Sequence, residues 1–297
     1  MAGKLIDLQD LRSFIQDGDT VAVGGAWLYM HPMALVRELI RAGCKDLTLL
    51  VNMASIDADL PIGAGCIREV QFTFISLTLF GLAPNFRRRV ENGTLKATEY
   101  CEELLTAGLK AASWGVGFVP SPQPLGSDIL RVVHPELKVI ECPYTGQKLI
   151  AVPAMKPDVA LIHAQRADEQ GNVQIPCMTF LDIDMARASD RVIVSVEEIV
   201  STEEIRRTRE QTVLFHWEVD GVVHLPWGAH PTSCVGHYPY DPWHYMEYAE
   251  MAQREETFQQ YLERYVYLPR HQDYLQAIGE ERLALLKELK EGVKIWE

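Results

Sequence analysis

The chain has 297 residues, 47% hydrophobic and 23% charged, which suits a soluble globular protein with its own core and excludes disordered, collagenous and coiled-coil classes. Its 41 acidic residues against 28 basic ones leave a net charge of −13, so a nucleic-acid partner, which draws on clustered Lys and Arg, is not expected. Its six cysteines form no CxxC pair, which argues against a zinc ribbon or a redox dithiol, and neither a secretory leader nor an apolar run of about 18 residues is visible. The expectation is a cytoplasmic protein without a membrane span, a metal or a permanently bound cofactor.

Residues 8–15 read as a short helix, with Gly18-Asp19 as a turn. Thr20 to Gly25 is a β-branched run ending on two glycines, a buried strand entering a loop. Pro32 fits the first turn of a helix whose Leu35, Val36, Leu39 and Ile40 share a face and which Gly43 ends. Residues 47–51 are the next strand, and strand–helix–strand is a βαβ unit, implying a parallel sheet covered by helices. Further strands are expected at 70–77, 95–98, 137–141, 159–163, 173–175 and 192–196. Helices are expected at 85–92 and 102–113, the latter with Leu104, Leu105, Leu109 and Ala112 on its inner side. Pro120 to Ser127 reads as a loop, and residues 241–291 as helical, opened by Asp241 as cap and Pro242 in the first turn. The fold class expected is α/β: an open, mostly parallel sheet flanked by helices over residues 1–240, with a helical C-terminal extension, 241–297, packed on it.

Several common signatures are absent: the G-x-G-x-x-G spacing of dinucleotide folds, the P-loop, the G-x-S-x-G elbow and HExxH. Gly24-Gly25 remains as a backbone device, since side-chain-free amides after a strand can face a carbonyl or carboxylate oxygen. Glu99, Glu102 and Glu103 form the main carboxylate cluster. Glu102 and Glu103 open a helix, where the dipole favours anions, and at a sheet edge such a group can act as a base or orient a substrate. His224, His230, His237 and His244 have no i, i+4 spacing and read as structural histidines rather than metal ligands.

Together these pieces resemble the α subunits of family I CoA-transferases, the glutaconate enzyme in particular. The resemblance is carried by Asp158 to Gln165, Gly171-Asn172, Val196 to Arg207, Gly228 to Pro231, Tyr238 to Asp241, and Gly24-Gly25 followed by Pro32 to Glu38. It implies a β-subunit partner in an α2β2 assembly. It also implies CoA passed between small carboxylic or dicarboxylic acids, with the thioester-forming glutamate on the β chain. The chain also resembles the α subunit of a steroid ring-opening hydrolase, whose catalytic glutamate matches Glu102, and a 3-methylglutaconyl-CoA decarboxylase. An arginine of the hydrolase loop has no counterpart in Ser121 to Pro124. By this resemblance Glu102 is the catalytic candidate, and Gly24, Gly25, Ala26, Ser76, Gly126 and Ser127 border the acyl group. The amides at Gly24-Gly25 and Gly126-Ser127 are expected to be free, and Gly25→Val to block the thioester while leaving folding nearly intact.

Overall fold

Valine, leucine and isoleucine on both faces of a strand require cover on both sides, and the central strands of this protein have that pattern. In the computed structural model, which describes residues 3–292, a 3-10 turn (Leu8–Asp10) and helix α1 (Leu11–Phe14) lead into β1 (Thr20–Val23). There follow α2 (Met33–Arg41), β2 (Leu47–Ala54), α3 (Ile56–Gly63), β3 (Ile67–Ile75), α4 (Pro84–Glu91), β4 (Lys96–Glu99) and α5 (Glu102–Ser113). Then come β5 (Phe118–Ser121), β6 (Lys138–Glu141), β7 (Lys148–Pro153), β8 (Val159–Asp168), β9 (Val173–Gln174) and α6 (Asp182–Ala188). The body closes with β10 (Arg191–Val200), α7 (Thr202–Arg207), β11 (Thr212–Leu214) and β12 (Gly221–His224).

The main sheet is parallel in the order β12-β10-β8-β1-β2-β3-β4, with the short β9 and β11 antiparallel beside the far end of β8. Alternation along the strands divides the core. Val21, Val23, Leu49, Val51 and Leu161 face α2, α3 and the C-terminal helices, whereas Ala22, Leu50, Ala160, Ile162 and Val194 face α5 and α6. A small antiparallel sheet, β5-β7-β6, packs Ile150 and Val152 against Leu104 and Ala107 of α5.

The stretch expected to be helical from 241 to 291 is four helices: α8 (Pro242–Met251), α9 (Glu255–Tyr265), α10 (His271–Ile278) and α11 (Glu280–Gly292). Asp241 caps the first through its side chain, which accepts from the His244 amide at 3.0 Å. Tyr245, Tyr248, Phe258 and Tyr261 are buried in the same core as β1 and β2. Residues 293–297 of the expected extension lie outside the described residues.

Candidate active site

The carboxyl ends of β1 to β4 open onto one cleft, the place where open α/β sheets hold ligands. After β1 the chain runs through Gly24-Gly25-Ala26 to Trp27, whose amide donates to the Met53 carbonyl at the end of β2 at 2.6 Å. Phe74 closes β3, and Glu99 to Glu102 link β4 to α5. One part of the cleft, about 360 Å³, lies between Trp27, Met53, Phe74, Tyr100, Glu102 and Ile129. A second part, about 370 Å³, shares Trp27 and Phe74 and extends to Tyr29, Ser76 and Leu79. Trp27 and Thr78, both on these walls, have φ near +55°, a left-handed strain that side chains rarely adopt and that concentrates at functional sites.

The loop after β1 is gripped from below by three buried ionisable groups. Asp182, at the start of α6, accepts the Gly25 N–H at 2.6 Å. His31 Nδ1 lies 2.9 Å from the Gly24 carbonyl and Nε2 lies 3.2 Å from that of Trp27. Asp57 Oδ2 of α3 is 3.2 Å from Nδ1, so the doubly protonated ring satisfies all three oxygens. Burial pushes the Asp182 carboxyl up to about 7 against the opposing pull of the Gly25 N–H, and burial likewise raises Asp57 against the charge of His31.

These contacts correct two expectations. The amides after β1 are not free: Gly24 donates to Leu161, Gly25 to Asp182, Ala26 to Tyr29 and Trp27 to Met53. The Ser127 amide donates to Pro124. Nor is Gly25→Val neutral for folding, because Gly25 has φ +88° and a Cβ there would lie 2.7 Å from the backbone of His31 and Tyr29. Gly24 is equally constrained, its Cβ position being 2.6 Å from Asp182 Oδ1.

Of the residues expected at the acyl group, Glu102 is exposed on the cleft, and Ser76 lines its second part with its hydroxyl donating to the Gly81 carbonyl at 3.0 Å. Gly24, Gly25 and the buried Ala26 form the floor of the loop that carries Trp27. Gly126 and Ser127 sit in an exposed turn shortly before Ile129, which does line the cleft. Glu103 accepts instead from Ser121 Oγ of β5 at 3.2 Å. Trp27, Phe74, His31, Asp57 and Asp182 were not candidates from the sequence; the only signal was their position just after or at the ends of strands and helices.

The late histidines make structural contacts. His230 lies between Tyr274 Oη at 2.6 Å and Asp241 at 3.1 Å, and His244 lies 2.7 Å from Tyr261 Oη. A different buried trio, His163, Glu197 and Cys234, has ligand-type atoms close enough for a cation. Glu197, however, already accepts from the amides of Trp227 and Gly228, the Tyr238 hydroxyl and His163. Burial pushes its carboxyl up, but those bonds outweigh it and hold the group below the usual range. The trio therefore fastens the 225–238 loop to the sheet.

The family model of coenzyme A transferase matches residues 6–224. The chain belongs to the coenzyme A transferase family. The solved glutaconate coenzyme A-transferase of Acidaminococcus fermentans superposes with a TM-score of 0.92 at 33% identity, covering 96% of this chain and 95% of that one. In sequence, one chain of that two-chain enzyme is 33% identical over 96% of this chain and 94% of its own length. The corresponding chain of the 3-oxoadipate CoA-transferase of Pseudomonas knackmussii is 36% identical over 90% of this chain and 94% of its length. A longer protein of Archaeoglobus fulgidus is 36% identical over 98% of this chain, which spans 66% of it. A cholesterol ring-cleaving hydrolase subunit of Rhodococcus jostii is 33% identical over 89% of this chain and 92% of its own. The α/β architecture read from the sequence is thus that of the α chain of a CoA-transferase, and no helix among the described residues is long and apolar enough to cross a membrane.

Proposed function

We propose that the chain is the α half of a two-chain enzyme that moves CoA between carboxylic acids. In this reading its cleft receives the acyl part of the CoA thioester, and a β subunit supplies the glutamate that forms the covalent thioester. The observation that carries it is the cleft at the carboxyl ends of β1 to β4, on a fold matching a CoA-transferase along nearly its whole length. Glu102 would face the acyl group there. Assembly with the β chain, as α2β2, is supported by the relatives, each named as one subunit of its enzyme.

The second reading is hydrolysis of a C–C bond in a cyclic CoA thioester. It is favoured by Glu102, an exposed carboxylate on the cleft that could take a proton from water, and by the likeness to the ring-cleaving hydrolase subunit. Co-expression with the β partner, mass by light scattering and hydroxylamine trapping after acyl-CoA addition test both. Transfer requires a trapped acyl or CoA ester on a β-chain glutamate. A complex that consumes the thioester with no such adduct is the hydrolase, and an active monomer of this chain alone refutes the assembly.

A further inference from the structure

The two parts of the cleft are walled alike. Trp27 and Phe74 are 42% and 43% exposed, and Met53 and Ile129 continue their surface toward α5. Such side chains gain when an apolar group covers them. The charged groups on these walls are Glu99 and Glu102, and among the described lining residues there is no Lys, Arg or His. Glu102 stands on the first turn of α5, where the helix dipole already offsets its charge, so it does not require a cation. A terminal carboxylate entering this space would lose water to apolar walls and meet two like charges with no counter-charge.

We propose that the acyl group lying against this chain is uncharged and apolar, so that the substrate is the CoA thioester of a neutral aliphatic or cyclic acid and not of a dicarboxylic acid. This rests on the CoA-thioester reading above and departs from the dicarboxylates for which two of the relatives are named. The side chains that select are Trp27 and Phe74 by cover and Glu99 and Glu102 by repulsion.

Three six-carbon thioesters that differ only at the far end test it: hexanoyl-CoA, adipoyl-CoA and 6-aminohexanoyl-CoA, titrated calorimetrically into the assembled complex without acceptor acid. Hexanoyl-CoA should bind tightest, by about tenfold or more over adipoyl-CoA. Glu99→Gln should narrow that ratio by strengthening adipoyl-CoA, while Trp27→Ala should weaken hexanoyl-CoA most. Adipoyl-CoA binding as tightly as hexanoyl-CoA overturns the proposal, and so does 6-aminohexanoyl-CoA binding tightest. Failure of all three to bind overturns the CoA-thioester reading itself, and the proposal with it.

Discussion

Successive positions on an α-helix are turned about 100° from each other, and at the start of α5 that turn sends two carboxylates to different surroundings. Glu102 lines the cleft, while Glu103 reaches Ser121 of the small sheet. Glu102→Gln should therefore lower turnover of the complex about 10²–10⁴-fold with melting nearly unchanged, the range for loss of a positioned acid or base. Glu103→Gln should leave the rate alone and cost under about 1 kcal/mol. Equal mild effects at both positions would reduce Glu102 to a helix-end charge. Gly25 answers to a different constraint. Its positive φ and the backbone 2.7 Å from its absent Cβ mean that even Gly25→Ala should cost about 2 kcal/mol or more in denaturant melts, and Gly25→Val more still. Glu102 was legible because a carboxylate pair opening an amphipathic helix is a local pattern. His31, Asp57 and Asp182 were not, because they come from segments up to 151 positions apart and only the sheet brings them under one loop.

The loop after β1 is held as an element by its buried acceptor. With Asp182 raised to about 7 in the folded protein and an ordinary carboxylate when unfolded, the folded state retains a proton between about pH 4 and pH 7. Its contribution to stability is thus fullest below that window and falls as pH rises through it, by up to about 1.4 kcal/mol per pH unit. Histidines held below their usual range (His230, His244 and His271) have the opposite slope, so the difference between variant and wild type is the informative quantity. Asp182→Asn keeps an oxygen for the Gly25 N–H and removes the titration. Its stability relative to wild type should climb from pH 4 to 7 and then level off; a difference flat with pH would mean that Asp182 does not titrate there. Among elements, β1, α2 and α5 were readable from apolar period and end signals. Helix α3 was missed because it is buried on every side, Asp57 and Asp59 included, and carries Pro61, so it has neither an amphipathic stripe nor a clean composition. The tail read as one helical stretch because its aromatic pattern continues across the breaks before α9, α10 and α11.

The molecule holds together where the C-terminal helices meet the sheet, and that junction is polar at its centre. Tyr248 donates to Asp59 Oδ2 at 2.6 Å, and the same carboxyl takes the Asn85 amide at 3.0 Å and the Phe86 N–H at 2.7 Å. One helical turn earlier, Tyr245 pairs with Ser55 Oγ at 2.9 Å, a contact between two hydroxyls. The sequence gives no hint of the distinction, since both tyrosines sit on an ordinary aromatic helix; the partners, on α3 and beside it, decide it. Burial pushes Asp59 up to about 6, against the bonds from Tyr248, Phe86 and Asn85. At pH 8 the Tyr248 bond is therefore to a buried carboxylate, and Tyr248→Phe should cost about 1.5–3 kcal/mol, whereas Tyr245→Phe should cost about 0.5–1.5. Lowering the pH to 5 protonates Asp59 and makes both bonds neutral, so the cost of Tyr248→Phe should shrink toward that of Tyr245→Phe, which should itself stay constant. Denaturant melts of the two variants at the two pH values give the four numbers needed. A Tyr248→Phe cost that is the same at pH 5 and pH 8 would mean that Asp59 does not change charge between them, and that the junction is held by apolar burial alone.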